Sequence, residues 1–348
     1  MDPNTVSAKT ISTFDIAQYQ PPTAFRVNPI KFFDHPDGSM HLEWVHRPSS
    51  ALLVEKIHDP IARNYLIEAV QFLNFDKTFT IYVEKYVAES LPHFTFLQKF
   101  TNSKEKMVDF VLVFGGDGTL LHVSSLFPEA CPPILPFALG SLGFLTPFLA
   151  SDYRMVIDDL IRGFFFVTSR TRIMCTIIRK DKTVDSYQAL NDVVIGPSVP
   201  GQVCAIECYI DDEHFTTVYG DGLIVSTSTG STAYNLSAGG AMVHPSVSTL
   251  LWTPICAHSL NAHPLVLPDC VGLSFKIAEH ARGEKPYLAT TDSKRTEIYK
   301  GDLVVVNQSP FPIPTVCQHE PITDWLSSIS TVLRWNQPMQ VSIESERG

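Results

Sequence analysis

In the first 150 residues, apolar runs that predict strands alternate with stretches that predict helices. Residues 51–54 and 110–114 are short and continuously apolar, and 79–83 is apolar except for Thr80, which is typical of buried strands. Asp59 and Pro60 predict a helix start after the first run, because aspartate caps helix N-termini and proline fits the first helical turn. Strands that alternate with helices predict a parallel sheet with right-handed crossovers.

Two of the predicted strands end in glycine-rich turns. The run 110–114 is followed by Gly-Gly-Asp-Gly at 115–118, and the run 134–139 by Gly-Ser-Leu-Gly-Phe at 140–144. Glycine permits a ligand to approach the backbone closely, and the N–H groups at the start of the following helix suit a phosphate. In such sheets ligands bind beyond the carboxyl ends of the strands, so the two turns could wall one cleft.

Asp117 is unusual in a turn that would otherwise suit an anion. A carboxylate repels phosphate unless it holds a metal ion or takes a proton from the substrate. The residue therefore indicates phosphate chemistry with a divalent ion or a general base. The alternative is an ordinary strand-to-helix turn with a polar tip, because short motifs often occur by chance.

The second half of the chain changes to closely spaced β-type runs, which predict a largely β domain. The predicted strands cover 172–178, 187–195, 203–210, 216–225, 265–267, 273–277, 287–290 and 303–307. A helix over 153–161 connects the two regions, and helical spacing of apolar residues over 325–333 predicts a C-terminal helix. The expected fold class is an α/β, Rossmann-like N-terminal domain with a parallel sheet, plus a largely β C-terminal domain.

These patterns divide the chain into four parts. Residues 1–48 are polar and punctuated by proline, and we expect an arm that is either disordered or ordered by packing on another subunit. Residues 49–150 form the α/β domain with the glycine-rich loop, and residues 151–320 form the β-rich domain. The helix within 321–348 is expected to pack back on the α/β domain.

One run in the β region carries an unusual density of hydroxyl groups. Six of the seven residues at 226–232 are serine or threonine, and Gly-Asp-Gly at 220–222 precedes them. Helix capping explains some of these hydroxyl groups. A nucleotide-contact surface explains the whole run better, because serine and threonine also bind ribose and phosphate.

The composition of the chain limits the partners it can have. The chain is 45% hydrophobic and 18% charged, with a formal net charge of −10, so we expect no broad attraction to nucleic acid or to membranes. The seven cysteines form no C-x-x-C pair, which favours reduced thiols. We expect a cytoplasmic protein, because no apolar segment is long enough to span a bilayer and the first 20 residues are not typical of a secretory or mitochondrial leader.

The ordered set of motifs resembles that of NAD kinases. The loop Gly-Gly-Asp-Gly-Thr at 115–119 is similar to one shared by NAD kinases, diacylglycerol and sphingoid lipid kinases and, more loosely, phosphofructokinases. Residues 189–194 resemble the second NAD kinase motif, and 220–240 resemble the long third motif, which lipid kinases lack in this form. Residues 253–260 resemble the segment that follows it, so the chain is identified as a member of the eukaryotic type.

The resemblance implies transfer of the γ-phosphoryl group of ATP to the 2′-hydroxyl of the adenosine ribose of NAD, which makes NADP, with Mg²⁺ or another divalent cation as cofactor. Asp117 matches the catalytic aspartate, whose proposed role is to accept the hydroxyl proton. The phosphate-loop positions are Gly115, Gly116, Gly118 and Thr119. The positions that match NAD-binding residues are Phe144, Asn191, Asp192, Asp221, Thr229, Thr232, Ala233, Tyr234 and Ser237.

The resemblance also implies a homodimer or homotetramer that binds NAD and ATP and has no nucleic-acid or membrane partner. No residue is assigned as a metal ligand. Two alternatives to an NAD kinase stay open. One is a lipid kinase of the same superfamily, against which the acidic chain and the third motif argue. The other is a nucleotide-binding regulator without turnover, against which the retention of Asp117 argues.

Four positions depart from the family pattern. Asp192 stands where glutamate is usual, Ser228 where proline is usual, and His263 where arginine is frequent. Ser293 follows Asp292 where glycine is usual. Asp192 shortens the carboxylate by one methylene, so a ribose contact there could pass through water. These changes bear on the preference between NAD and NADH, while Asp117 itself is kept.

Overall fold

The computed structural model describes residues 30–34, 40–75, 77–101, 107–163, 165–199, 201–281, 285–292 and 294–335. Most of the predicted arm, residues 336–348 of the predicted C-terminal part, and Ser293 lie outside them. The α-helices of the described part are α1 (Pro60–Leu73), α2 (Lys85–Ser90), α3 (Asp117–Leu126), α4 (Tyr153–Arg162), α5 (Tyr234–Ser237) and α6 (Pro321–Val332).

The described strands form three sheets. The strands before residue 171 are β1 (Ile30–Asp34), β2 (Met40–Trp44), β3 (Ser50–Glu55), β4 (Thr80–Val83), β5 (Gln98–Lys99), β6 (Phe110–Phe114), β7 (Ile134–Ala138), β8 (Phe148–Leu149) and β9 (Phe165–Arg170). The strands that follow are β10 (Ile173–Ile178), β11 (Val184–Ala189), β12 (Asp192–Pro197), β13 (Cys204–Ile210), β14 (Glu213–Gly220), β15 (Gly222–Thr227), β16 (Thr249–Ile255), β17 (Leu265–Pro268), β18 (Leu273–Ile277), β19 (Tyr287–Thr291), β20 (Lys294–Ile298), β21 (Leu303–Gln308) and β22 (Ile313–Val316).

The first sheet has the strand order β1-β2-β9-β22-β7-β6-β3-β4-β5, with β8 beside β7. Its central strands β4, β3, β6 and β7 are parallel, as predicted. Helix α1 also begins where predicted, because Asp59 Oδ1 accepts the N–H groups of Ile61 at 3.0 Å and Ala62 at 3.2 Å. Buried apolar clusters cover both faces of this sheet. Strands β9 and β22 join it from the region that the sequence pattern placed with the β-rich domain.

The second and third sheets pack face to face. Their strand orders are β11-β10-β21-β18-β13-β14 and β17-β16-β15-β12-β19-β20, and all pairings within them are antiparallel. One apolar core lies between them, to which the second sheet contributes Ile206 and Phe275 and the third sheet Val225 and Trp252. The predicted combination of an α/β sheet with a largely β C-terminal part is confirmed.

The chain passes between the second and third sheets at two points that the sequence pattern does not predict. The run 187–195 is split at 190–191 into β11 and β12, and the run 216–225 is split at Asp221 into β14 and β15. The prediction of two continuous strands is therefore wrong. Glycine makes the second crossing possible: a Cβ on Gly220 would lie 2.7 Å from the carbonyl oxygen of Ile255, and Gly222 has a φ of +158°.

The C-terminal helix and the first sheet are in contact. Helix α6 packs against β9, and the ring of Trp325 meets the ring of His244 edge to face, with centroids 5.1 Å apart. Of the helices in the described residues, none combines the length and the apolar character that crossing a membrane requires.

Arg172, directly before β10, connects the end of α3 to the chain that leads into β22. Its side chain is fully buried. The guanidinium donates to the carbonyl oxygens of Ser124 (3.1 Å), Phe127 (2.7 Å), Glu129 (2.7 Å) and Phe311 (2.6 Å). Burial lowers its pKa to about 10. The carbonyl oxygens replace the water that a buried cation loses.

Candidate active site

The first glycine-rich turn joins β6 to α3 at the carboxyl edge of the first sheet. Gly115 is buried, and a Cβ atom added to it would overlap the hydroxyl of Thr119. Gly116 and Gly118 are exposed, and an added Cβ would have no neighbour within 4 Å at either one. Helix α3 begins at Asp117. Because the first N–H groups of a helix have no partner within it, this turn presents open donors at the sheet edge.

The second glycine-rich turn closes on the side chain of Asp117. Its carboxylate accepts the N–H of Phe144 at 3.2 Å through Oδ2 and the N–H of Leu145 at 3.1 Å through Oδ1. A Cβ on Gly143 would overlap Asp117 Oδ1 and would lie 2.8 Å from Thr146 Oγ1. The turns that follow the neighbouring strands β6 and β7 are thus in direct contact, and they hold the half-buried carboxylate in one orientation.

Asn191 and Asp192 lie where the chain leaves β11 and enters β12. The carboxylate of Asp292, directly after β19, accepts three consecutive backbone N–H groups, those of Leu190 (2.9 Å), Asn191 (2.9 Å) and Asp192 (3.3 Å). In return, the N–H of Asp292 donates to the carbonyl oxygen of Asp192 at 3.1 Å. Asp292 has a φ of 46°, in the left-handed region that aspartate tolerates better than most residues. Asp292 therefore fixes the backbone of the predicted NAD-binding pair.

Asp192, which is buried, and Asp292, which is half-buried, form a pair of neighbouring carboxyl groups. Burial, together with the nearby charge of Asp292, raises the pKa of Asp192 to about 7. Burial also raises the pKa of Asp292, but its three backbone hydrogen bonds oppose that shift. Hydrogen bonds to a carboxylate favour its ionised form. Asp292 therefore keeps the charge, and a proton shared by the pair resides on Asp192.

A cleft brings together four of the predicted site positions with residues from three other elements. It is lined by Leu121 of α3, by Asn191, Asp192, Ala233 and Tyr234, and by Thr290, Asp292 and Arg295 of the β19–β20 region, with Val194. Burial raises the pKa of the Tyr234 phenol, and the charges of Asp221 and Asp192 add to that shift. Asp221 itself is exposed. The helix that carries Asp117 thus borders the same cleft as Tyr234.

Most hydroxyl groups of the run 226–232 are bonded within the protein, contrary to the expectation of a nucleotide-contact surface along the whole run. Ser226 Oγ donates to the carbonyl oxygen of Asn191 at 3.1 Å, and Thr227 Oγ1 donates to that of Leu190 at 2.6 Å. Ser228 and Ser231 donate to the carbonyl oxygens of Val247 and Val243. These four residues are buried, so their hydroxyl groups tie the turn to neighbouring segments.

The remaining predicted positions differ in exposure. Thr229 is buried and its Oγ1 has no partner in the described structure. Thr232 is half-buried and Ser237 is exposed. Phe144 is half-buried and lines a small cavity with Arg170, His244 and Trp325, on the side of the second glycine-rich turn, instead of the cleft around Tyr234.

Asn235 is a residue of the third motif that the sequence reasoning did not single out. Its amide donates to the carbonyl oxygens of Ser231 and Ala241, each at 3.1 Å, and its Oδ1 accepts the hydroxyl of Thr253 at 2.7 Å. A Cβ on Gly240 would overlap this amide group. The asparagine therefore holds the short helix α5 in place, although a sequence pattern alone gives no signal for such a role.

The departures from the family pattern have small structural effects where they are described. Ser228 has a φ of −57°, which is the value that proline would fix, so the turn keeps its conformation without proline. His263 is exposed. Asp292 and Arg295 line the cleft, although the sequence did not predict either as a site residue. For Asp292 the reason is that an aspartate at the end of a strand is also a common turn residue.

The described residues contain no group of three or more His, Cys, Asp or Glu side chains that could hold a metal ion. Mg²⁺ often binds through one or two carboxylates, several waters and the phosphates of a substrate, so a single protein carboxylate is enough to take part in holding it. Asp117 is the carboxylate at the glycine-rich turn that could take part, since each oxygen accepts one N–H and retains a lone pair.

Two sequence families match the chain. Residues 39–165 match the ATP-NAD kinase N-terminal domain, and residues 190–317 match the ATP-NAD kinase C-terminal domain. Among curated proteins, the chain is 38% identical over 321 residues to the "Probable NAD kinase 1" of Oryza sativa, with 88% of this chain and 60% of that protein covered. It is 34% identical to the mitochondrial "NADH kinase pos5" of Schizosaccharomyces pombe, with 85% of this chain and 78% of that protein covered. The chain spans about 60% of the length of two rice relatives that it matches and 32% of the length of a third.

Solved structures share the fold. The crystal structure of yeast NADH kinase complexed with NADH superposes with a TM-score of 0.81 at 27% identity, and the match covers 87% of this chain and 92% of that chain. An NAD kinase from Archaeoglobus fulgidus in complex with ATP has a TM-score of 0.62 at 21% identity, with 81% of this chain and 99% of that chain covered. The archaeal likeness shows the fold alone.

Proposed function

The chain belongs to the ATP-NAD kinase family, and from this premise we propose that it transfers the γ-phosphoryl group of ATP to the 2′-hydroxyl of the adenosine ribose of NAD. The observation that carries the proposal is the fixed carboxylate of Asp117 at a turn of open N–H donors, on a helix that also borders the cleft of Asn191 and Tyr234. A phosphoryl donor and a nucleotide acceptor would meet at that helix.

The glycine-rich turn would bind the donor phosphates. Gly116 and Gly118 leave the backbone open, and the N-terminus of α3 favours negative charge. Thr119 is half-buried beside this turn, where its hydroxyl is packed against Gly115. Phosphoryl transfer needs positioning and charge neutralisation more than covalent chemistry. The turn supplies the positioning.

Asp117 would accept the proton of the attacking 2′-hydroxyl. The hydrogen bonds from Phe144 and Leu145 fix the orientation of the carboxylate before substrate arrives, and such orientation contributes to the rate of proton transfer. When bound, Mg²⁺ supplies charge neutralisation on the phosphates, and Asp117 is the residue placed to contact it.

The NAD ribose and adenine would lie against Asn191 and Asp192, in the cleft that Ala233 and Tyr234 also line. Because Asp292 orients the backbone of 190–192, it would act as a positioning residue. The buried hydroxyls of 226–228 would support this wall from behind. Thr229, Thr232, Ser237 and Asp221 stay proposed contacts, and Phe144 would act through its N–H and the adjoining cavity.

We further propose a homo-oligomer assembled through the β-rich part, as the family resemblance implies, and a cytoplasmic location. Relatives of this chain include a chloroplastic NAD kinase of Arabidopsis thaliana and the mitochondrial NADH kinase of Schizosaccharomyces pombe, so the compartment varies within the family. Size-exclusion chromatography with light scattering and imaging of a tagged protein would test these two points.

The test of the proposed function is NADP formation by the purified protein with ATP and Mg²⁺, using NAD and NADH as acceptors. We expect NADP from the wild type and a loss of about a hundredfold or more in Asp117→Asn. A folded wild type that binds NAD and makes no NADP would favour the regulator. Phosphorylation of diacylglycerol or a sphingoid base instead of NAD would favour the lipid kinase.

A further inference from the structure

Lys56 lies beside the glycine-rich turn, directly after β3. Its N–H donates to the carbonyl oxygen of Phe114 at 2.8 Å, and a Cβ built on Gly115 would lie 3.2 Å from the Cβ of Lys56. The side chain is 57% exposed. The lysine stem thus begins against the turn, and its ammonium group can sample the space above it.

Two other cations on this edge of the sheet, Arg63 and His122, are less exposed than Lys56, with side chains 26% and 37% exposed, and each is held by a carboxylate. Arg63 Nε donates to both carboxylate oxygens of Glu55, at 3.0 and 2.8 Å, and Glu55 is 2% exposed. His122 Nε2 lies 2.9 Å from Glu84 Oε1. Lys56 is more exposed and makes one contact, of 3.1 Å, between its Nζ and Asp59 Oδ2. Exposed pairs of this kind contribute little to stability, so the lysine can exchange its partner.

The proposed donor site needs a positive charge that the turn itself does not supply. Backbone N–H groups carry only partial charges, Asp117 adds a negative charge, and the chain as a whole carries −10. A nucleoside triphosphate brings about four more negative charges, which one divalent ion neutralises in part. The exposed ammonium group of Lys56, next to the turn, supplies such a charge.

We propose that Lys56 binds the terminal phosphates of the donor, leaving Asp59 for the phosphate oxygens when the triphosphate occupies the glycine-rich turn. The inference rests on the proposed function, because it assumes that the donor phosphates lie on that turn. A lysine recognises phosphate as a point charge. Lys56 therefore contributes to affinity for the polyphosphate chain and not to choice of the base.

Four variants test the assignment. Lys56→Gln removes the charge and keeps the stem, and Lys56→Arg restores a charge. Asp59→Asn removes the competing carboxylate but preserves the helix cap, since asparagine caps as well as aspartate. Lys99→Gln is the matched control, because Lys99 is 52% exposed, makes a surface ion pair of 3.0 Å with Glu89 and lies on β5, three strands away from β6.

Steady-state kinetics with ATP and NAD give the first readout. We expect Lys56→Gln to raise the KM for ATP by about 10- to 100-fold, the effect of losing one charge-assisted hydrogen bond, and to leave the KM for NAD within about twofold. Lys56→Arg should recover most of this loss, and Asp59→Asn should lower the KM for ATP. Lys99→Gln should match the wild type. An unchanged KM for ATP in Lys56→Gln, or an equal rise in Lys99→Gln, overturns the proposal.

Calorimetric binding of Mg²⁺ with a non-hydrolysable ATP analogue separates this inference from the proposed function. If the wild type makes no NADP, the proposed function fails. Tight analogue binding by the wild type and weak binding by Lys56→Gln would still support the role of Lys56. Equal binding by the two proteins, or none by the wild type, overturns it. Thermal unfolding of each variant confirms that the protein is folded in both assays.

Discussion

Asp292 holds Asn191 from a position 101 residues further along the chain, through a hydrogen bond of 2.9 Å from the backbone N–H to the carboxylate. The same carboxylate accepts the N–H groups of Leu190 and Asp192. The segment between β11 and β12 has no regular strand partner at this point. Its conformation, and hence the position of the predicted ribose contacts, depends on the side chain of Asp292 in the turn after β19, together with the hydroxyl groups of Ser226 and Thr227.

Asp292→Asn should impair NAD binding more than the stability of the fold. The amide keeps one acceptor oxygen but turns an N–H group toward a backbone N–H donor, so we expect the KM for NAD to rise by about tenfold and the free energy of unfolding to fall by about 1–3 kcal/mol. Steady-state kinetics and urea denaturation measure the two effects.

Asp302→Asn is the matched control for Asp292→Asn. Asp302 is buried, accepts the N–H groups of Lys180 at 3.1 Å and Tyr299 at 3.0 Å, and pairs with Arg179 at 3.1 Å. It belongs to the second sheet region, outside the cleft. The Asp302→Asn protein should be less stable than the wild type and have the same KM for NAD. Equal rises in the KM for NAD in both variants would contradict the positioning role of Asp292.

Asp192 should make the protein less stable as the pH rises. Its pKa is raised to about 7 in the folded chain, against about 4 when unfolded, so its favourable contribution is complete below about pH 4 and is lost as the pH rises through about 7. Asp192→Asn stays neutral throughout. Relative to the wild type, it should gain about 2 kcal/mol in the free energy of unfolding between pH 5.5 and pH 8. Denaturation curves at both pH values decide this, and a constant difference would refute it.

Gly143→Ala should slow catalysis through Asp117. The added methyl group would overlap Asp117 Oδ1, which must then move, and a displacement of this kind lowers kcat by about tenfold or more. Gly140→Ala in the same turn is the control, because its Cβ would meet nothing within 4 Å. Rates at saturating ATP and NAD measure the difference, and equal kcat values in the two variants would argue against a fixed orientation of Asp117.

The effects of substitutions at Asn235 and Thr253 on the free energy of unfolding should be coupled, because the two side chains share a hydrogen bond. Asn235→Ala leaves the buried Thr253 hydroxyl without its acceptor as well as two carbonyl oxygens without donors, which should lower the free energy of unfolding by about 2–4 kcal/mol. Adding Thr253→Val removes the orphaned hydroxyl and should recover part of that loss. A double-mutant cycle by urea denaturation tests this, and strict additivity would show that the hydrogen bond has no net effect.

The α/β part was predictable because its signals lie in short stretches of neighbouring residues. The Asp59-Pro60 start of α1 and the apolar run of β6 depend on neighbouring residues only, and both occur where the sequence placed them. The sequence did not predict strand β20 (Lys294–Ile298), because it is a polar edge strand in which four of the five residues are exposed or half-buried. The alternation of apolar and polar residues that marks a strand is weak in an edge strand, which has a paired strand on one side only.

The two sheet crossings show why the site was harder to predict than the fold. Apolar residues continue on both sides of 190–191 and of Asp221, so the pattern gives no sign that the chain changes sheets there. Both crossings carry predicted NAD-binding residues. Motif resemblance placed Asn191 and Asp192 in one cleft with Tyr234, but the role of Asp292 depends on a contact over about a hundred residues, which no local pattern encodes.

Arg172 makes the two halves of this protein depend on each other, because its hydrogen bonds join them. Its four carbonyl partners lie at the end of α3 and before β22, so a chain that carried the arginine without α3 would bury an unpaired cation. A chain that carried α3 without the arginine would leave carbonyl oxygens without donors. Recombination between family members at a point between 130 and 172 would therefore succeed only where both parents keep this contact.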